Sequence, residues 1–378
     1  MKTSTRLLGS PGGRPGTRVS APLAAASALA LVAGCSTVTP AEENTSGDTI
    51  TVTDQRGETL ELDGPVERVV TIPMPAASLL VAVDGGTDHL VGMNPSSQQA
   101  LSEGILGEYY PEAEEIASDI SDTDFVPNVE STLELDPDLV IQWGDQGEQL
   151  TSPLEDAGIP VLGLDYGTQE DLEEWIEIFG VILGQEERAE QIIATQHEHR
   201  ETVEAAVANT EDTPSVLYLN QAGDTYAANG TGTYHDFFID MVGAENAAAE
   251  LNGTVDVGME QILEWDPDIV LLSHFDTAVP DDLYSDPMWE DVTAVQDDAV
   301  YRIPLGGYRW DPPNQESHLM WHWLAQVVHD DADLGPLRPE IVDTYEFLYG
   351  ETPTDAQMDE ILRTDENSAS AGYDVFDR

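Results

Sequence analysis

The stretch Glu130-Ser-Thr-Leu-Glu-Leu-Asp-Pro-Asp-Leu-Val140 lines up without a gap with Glu260-Gln-Ile-Leu-Glu-Trp-Asp-Pro-Asp-Ile-Val270. Glu130/Glu260, Leu133/Leu263, Glu134/Glu264, Asp136/Asp266, Pro137/Pro267, Asp138/Asp268 and Val140/Val270 are identical pairs. Each copy reads as a short helix with a glutamate near its start, halted by the Asp-Pro-Asp turn and followed by a buried strand. A chain that carries this unit twice is expected to build two like halves. Around it, apolar runs such as Val69 to Ile72, Leu139 to Ile141, Val161 to Leu164, Val216 to Leu219 and Ile269 to Leu272 alternate with amphipathic stretches. Continuous Val/Ile/Leu runs separated by helices indicate strands covered on both faces. The expected fold class is α/β, with two Rossmann-like lobes of mostly parallel sheet. Between the halves, Gln169 to Asn209 has helical periodicity with a break at Gly184. Its second segment, Glu186 to Val207, would be roughly 33 Å long at 1.5 Å per residue, a stiff bridge.

Charge narrows the partners. The 378 residues hold 13 Lys+Arg against 74 Asp+Glu, a net charge of −61. Four of the cations, Lys2, Arg6, Arg14 and Arg18, lie in the first 34 residues, which have no acid. Beyond them nine arginines and no lysine face all 74 acids, a net charge of −65. Such a surface excludes nucleic acid as a partner, because phosphate must be met by cations, and points to a salt-tolerant extracytoplasmic setting. With 40% hydrophobic residues the chain can still bury a core.

Residues 2 to 18 are basic, 21 to 33 are small and apolar, and the run closes at Val32-Ala33-Gly34-Cys35. This is the order of a secretory signal, and it is similar to the lipobox of bacterial lipoproteins. The only cysteine of the chain, Cys35, is the expected lipid attachment site. The expected organisation is a signal peptide over 1–34, a lipidated tether over 35–48, an N-terminal lobe over 49–166, a linker helix over 167–209, a C-terminal lobe over 210–349 and an acidic tail over 350–378. The mature protein would then be anchored to the outer face of the cell membrane.

Together with Pro65-Val-Glu-Arg-Val-Val70, Val129 to Ile141, Ala157-Gly-Ile-Pro-Val161 and Gly243-Ala-Glu-Asn246, these features make residues 49 to 349 resemble the substrate-binding lipoproteins of bacterial ABC importers. The class in question has two α/β lobes bridged by one long helix and serves ferric siderophores, haem and cobalamin. The resemblance implies a ligand cleft between the lobes, no enzymatic activity, no cofactor, and docking of Glu130 and Glu260 into arginine pockets of a dimeric permease. A ferric siderophore is the first ligand expected. Corrinoid or haem, and molybdate or tungstate, are alternatives within the fold, and a surface interaction protein without transport is an alternative of another class. One departure from the family is Ile72-Pro-Met-Pro-Ala-Ala-Ser78, where many siderophore binders have Thr-Glu.

A ligand in such a fold lies at the carboxyl ends of the strands. Those ends offer Met74 and Trp143 in the first half, and Tyr226, Tyr234, His274, Tyr308, Arg309 and Trp310 in the second. Trp143 falls where a cobalamin-binding relative carries a cleft tryptophan. Arg309 stands out because cations are scarce and it lies between two aromatic residues, where a guanidinium can fork onto an anion and stack on a conjugated ligand. His318, His322 and His329 have helical spacing, but the same helix carries Leu319, Trp323 and Leu324 as core and no further ligand is fixed, so no metal site is expected. His197 and His199 are expected in solvent on the linker. No Gly-x-Ser-x-Gly, Walker loop or His-Glu-x-x-His stands in a context that would support catalysis.

Overall fold

In the computed structural model, which describes residues 49–377 apart from 209, 211, 224 and 331, the two copies of the repeat share one conformation. Both begin as short helices, Val129–Glu134 and Met259–Trp265. Both end with the first aspartate of the turn in the left-handed region, Asp136 at φ 47° and Asp266 at φ 43°, which aspartate tolerates better than most residues. The second aspartate fastens two strands together where they start. Asp138 Oδ2 accepts the backbone N–H groups of Glu67 (2.8 Å) and Arg68 (2.9 Å). Asp268 Oδ2 accepts the N–H and the hydroxyl of Ser215, each at 2.8 Å. The expected signal and tether, Cys35 included, lie outside the described residues.

Two sheets follow from these starts. In the first, four parallel strands run in the spatial order Leu90–Met93, Val69–Thr71, Leu139–Trp143, Val161–Leu164. In the second, Ile269–Leu272 lies parallel between Ser215–Ala222 and Val300–Arg302. The central strands Leu139–Trp143 and Ile269–Leu272 are buried at every position, which is why Leu139 to Ile141 and Ile269 to Leu272 read as unbroken apolar runs. Tyr226–Asn229 and Thr254–Val257 extend the second sheet in antiparallel sense. A connection as short as 223–225 can join only antiparallel neighbours, since a parallel crossover needs a dozen residues or more. A separate antiparallel pair, Ile50–Thr53 with Thr59–Leu62, precedes both sheets in the chain. The fold is thus two-lobed α/β, with a parallel centre in each of the two larger sheets. Among the described residues no helix is long and apolar enough to cross a membrane.

The linker is two helices, Gln169–Leu183 and Glu186–Val207, broken at Gly184. The first starts with a reciprocal cap between Thr168 and Asp171. The second carries Arg188, whose Nε donates to Ala82 O (3.0 Å) near the end of the first-lobe helix Met74–Asp84. Its Nη2 donates to Phe347 O and Leu348 O, each at 2.8 Å, at the end of the helix Leu337–Tyr349. One guanidinium therefore serves the carbonyl ends of two helices, where a cation also meets the negative pole of each dipole. Gln196 adds bonds to Asn314 O and Gln315 O.

Residues 350–377 pack onto the edge of the second sheet. The Asn367 amide accepts from Arg302 N (2.7 Å) and donates to Arg302 O (2.9 Å), standing in for a neighbouring strand. Ile361, Leu362, Tyr373 and Phe376 are buried, and Tyr373 stacks on Tyr301. Gln357 reaches Glu108 of the first lobe at 2.6 Å.

Several histidines are locked inside as neutral rings. Burial lowers His235 to about 3, and lowers His322 to about 4 although its bond to Gly335 O opposes the shift. Burial also holds His318 well below the usual range. The unfolded chain protonates these rings near pH 6.5 while the folded chain does not, so their stabilisation is complete above that pH and is lost as pH falls toward the folded values. Each contributes a slope of about 1.4 kcal/mol per pH unit over that window. Urea unfolding at pH 7 and pH 5 should show an acid-side loss in the wild type that shrinks in the double variant His235→Asn, His322→Gln. An identical pH dependence in both proteins would contradict the assignment.

Candidate ligand-binding site

The segment from Pro304 to Ser317 follows the last strand and carries the arginine singled out by the sequence. Its shape is set by a carboxylate that has no cation bonded to it among the described residues. Glu316 is fully buried, and its Oε1 accepts from Gly307 N (2.9 Å) and from the Tyr349 hydroxyl (2.5 Å). Oε2 accepts from Trp310 Nε1 (2.6 Å) and the Tyr345 hydroxyl (3.0 Å). Burial pushes this carboxyl above the ordinary range, and the four donors pull it back. Gly306 and Gly307 are required here because a methyl group at either would collide with the Glu316 carboxylate and with the tyrosine hydroxyls. Asn314 closes the loop from the other end, donating to Arg309 O and Pro312 O. Asp311 ties it to the sheet by accepting from Tyr218 (2.8 Å) and Ser273 (2.6 Å).

The first lobe meets this loop closely. A side chain at Gly104 would lie 2.9 Å from Gly306 O, and the Tyr166 hydroxyl donates to Pro313 O. Beside this contact lies a pocket of about 400 Å³, within the usual size of a small-molecule site. Its wall includes Glu103 of the first lobe with His274, Arg302, Arg309, Arg363 and Glu366 of the second. Three of the eight described arginines thus gather at one pocket.

Their donors are not equally free. Arg302 spends Nη1 on Ser273 O and Ala278 O, and Nη2 on Asp276 O and the His274 ring. Arg302 Nε faces Glu366 at 3.6 Å, and Arg363 Nη1 stands 3.7 Å from the same carboxylate. His274 donates from Nε2 to Ile303 O (2.6 Å) and presents Nδ1 to Arg302, so burial and the adjacent guanidinium hold the ring neutral, well below its usual range. Asp276 is also committed: burial opposes its charge, but N–H groups of Ala222, Thr277 and Gly223 outweigh this and lower it. Among the described residues each of the three has one buried nitrogen without a hydrogen-bond partner, Nε of Arg302 and Arg363 and Nη1 of Arg309. Arg309 differs in having no carboxylate beside it among those residues, whereas the other two face Glu366. Its Nε donates to His274 O at 3.3 Å, and the guanidinium lies 5.0 Å from the Phe275 ring centroid and 5.9 Å from that of Tyr308. A guanidinium in that state has an uncompensated cost that an anionic ligand would remove.

Of the residues picked out by sequence, His274, Tyr308 and Arg309 come together here. Met74 begins the helix Met74–Asp84 and is half-buried. Trp143 ends its strand within an aromatic cluster with Phe125, Tyr166 and Trp175, its Nε1 buried without a partner. Tyr234 sits at the junction with the linker, accepting from Trp321 and donating to Gln169. Tyr226 packs against Trp289 and accepts its N–H. Trp310 is wholly buried, with its ring N–H committed to Glu316. His318, His322 and His329 each have a separate partner, Thr344, Gly335 O and Val242 O. His197 is exposed beside Glu173, whereas His199 is half-buried against the His318 ring. Arg302, Arg363 and Phe275 were not singled out by sequence, and the scarcity of cations that marked Arg309 is the signal that would have found the two arginines.

Comparison with known proteins agrees with this architecture. The periplasmic binding protein family matches residues 94–305. A periplasmic solute binding protein from Veillonella parvula of known structure is 32% identical, superposes with a TM-score of 0.79, and is covered over 99% of its length by 85% of this chain. The molybdate-binding protein MolA of Haemophilus influenzae is 24% identical over 79% of this chain and 90% of its own length. The iron(3+)-hydroxamate-binding protein FhuD of Bacillus subtilis is 22% identical over 66% and 81%. The chain belongs to the periplasmic binding protein family, the substrate-binding proteins of ABC importers.

Proposed function

We propose that this protein captures an anionic metal chelate, a ferric siderophore first, outside the cell and delivers it to an ABC permease dimer. The observation that carries the ligand class is Arg309, a guanidinium with a free donor laid over Phe275, which is 42% exposed. An unpaired cation beside an accessible ring suits a conjugated anion that can be both hydrogen-bonded and stacked. Trp143, with its unpaired ring N–H, and Met74 are proposed as the first-lobe contribution to the cleft. Similarity to an iron-hydroxamate-binding protein is consistent with this reading.

Molybdate or tungstate is the second reading, favoured by similarity to a molybdate-binding protein and by three arginines at one pocket. A small oxyanion wants several convergent donors, and here Arg302 has committed most of its donors to backbone carbonyls. The balance therefore lies with the chelate.

Glu130 and Glu260, exposed on equivalent helices, are proposed as the permease-docking carboxylates, and Cys35 as the lipid anchor. Two like anions on two like lobes suit a two-fold partner.

Purified residues 36–378 in high salt should show saturable quenching of tryptophan fluorescence by one member of a panel of ferric hydroxamates, ferric catecholates, cobalamin, haem, molybdate and tungstate. A ferric siderophore is expected to quench, with affinity reduced about tenfold or more by Arg309→Ala, in keeping with the loss of a hydrogen bond to a charged group. Silence across the chelates together with tight molybdate binding by calorimetry would sink the siderophore reading. In cells, the full chain should partition with membranes and incorporate labelled fatty acid, and Cys35→Ala should abolish the label and release the protein; retention of both would refute the anchor.

A further inference from the structure

Among the described residues seven large apolar side chains stand exposed, and Val126, Leu133, Val255 and Leu263 of these lie on or next to the two copies of the repeat. Leu133 is 49% exposed and Leu263 40%, and they are partners in the repeat. Their inward-facing neighbours, Thr132 and Ile262, are completely buried. A single exposed leucine needs no explanation. The same leucine exposed at the same place in both copies is a different observation, because each helix already has an inward residue for its own packing. Glu130, Leu133 and Glu134 share a face by their i, i+3, i+4 spacing, as do Glu260, Leu263 and Glu264, and all six are exposed. Each helix thus offers one apolar side chain between two carboxylates.

We propose that Leu133 and Leu263 form the apolar half of a docking surface, one patch on each lobe, for the two-fold symmetric permease. This rests on the reading above that the chain delivers its ligand to such a permease. The partner it fits repeats, across its axis, a cation beside an apolar recess. A second copy of this chain is a poor occupant, since each patch would meet carboxylates with carboxylates. The leucines also supply what glutamates cannot. At 1 M salt charges are screened within about 3 Å, whereas burial of an apolar side chain does not depend on charge.

Photoreactive benzoylphenylalanine placed at Leu133, and in a separate chain at Leu263, tests the surface in cells that carry the importer, with no need to know the ligand. Irradiation should give an adduct from both positions, identified by mass spectrometry as the same permease subunit, and none from the exposed control Met288. An adduct with a second copy of the chain, or none from either position, would overturn the proposal. The double variant Leu133→Ser, Leu263→Ser should lower uptake of radioactive iron, supplied as the siderophore that quenches fluorescence, about tenfold while ligand affinity is unchanged. If Glu130→Lys, Glu260→Lys abolishes uptake and the serine pair does not, the leucine surface fails and carboxylate docking stands. If neither pair alters uptake, both fail.

Discussion

The hydrogen bonds of Asp138 and Asp268 to the start of a neighbouring strand are the joint on which both lobes are built. Each fixes where the central strand enters relative to the parallel strand beside it, and so fixes which residues emerge at the far end. In the first lobe that end carries Trp143. In the second it carries Ser273 and His274, against which the arginine loop is tied through Asp311 and Arg302. The same joint fixes the helix before the turn, and hence the outward direction of its glutamate and leucine. Ligand cleft and outer surface are therefore two consequences of one turn used twice.

The second constraint is the shortage of cations. A chain of this acidity cannot place guanidinium groups freely, because surface carboxylates compete for each one. Arg188 is withdrawn from that competition by three backbone carbonyls, and Arg302 by three more. Carbonyl acceptors leave the formal charge of Arg188 uncancelled, whereas Arg302 also faces the Glu366 carboxylate at 3.6 Å. Glu316 solves the opposite problem, holding a buried carboxylate with neutral donors alone. That choice leaves Arg309, on the same loop, without an internal carboxylate partner.

The parallel strands and the linker were legible because burial on both faces produces unbroken Val/Ile/Leu runs, and because Leu172, Trp175, Ile176 and Phe179 repeat at helical spacing. The repeat announced two like halves for the same reason: matching contacts demand matching residues. The hairpin of Ser215–Ala222 with Tyr226–Asn229 was not legible, since Gly and Thr around it read as loop. The tail was hidden by its composition, where acids are interspersed among the buried residues that hold it and the strand-like pairing is made by the side chain of Asn367. At the site, Arg309 was legible from scarcity and setting. Trp310 and Tyr226 could not be sorted from it, because whether such an aromatic residue packs inward or outward depends on a partner, Glu316 or Trp289, that no periodic pattern in the sequence pairs with it.

Arg188 finally bears on how a ligand is held. With one linker guanidinium bonded to the ends of the helices Met74–Asp84 and Leu337–Tyr349, and Gln196 and Tyr166 adding further ties to the loop before Ser317, a wide hinge opening would break several bonds at once. Binding must then be accommodated by side chains within a largely formed cleft, which lowers the ordering cost of capture. Under that restriction discrimination falls on the pocket wall itself, and its free donor and exposed ring, Arg309 and Phe275, come from the segments that the Glu316 cluster and the Asp311 bonds hold still.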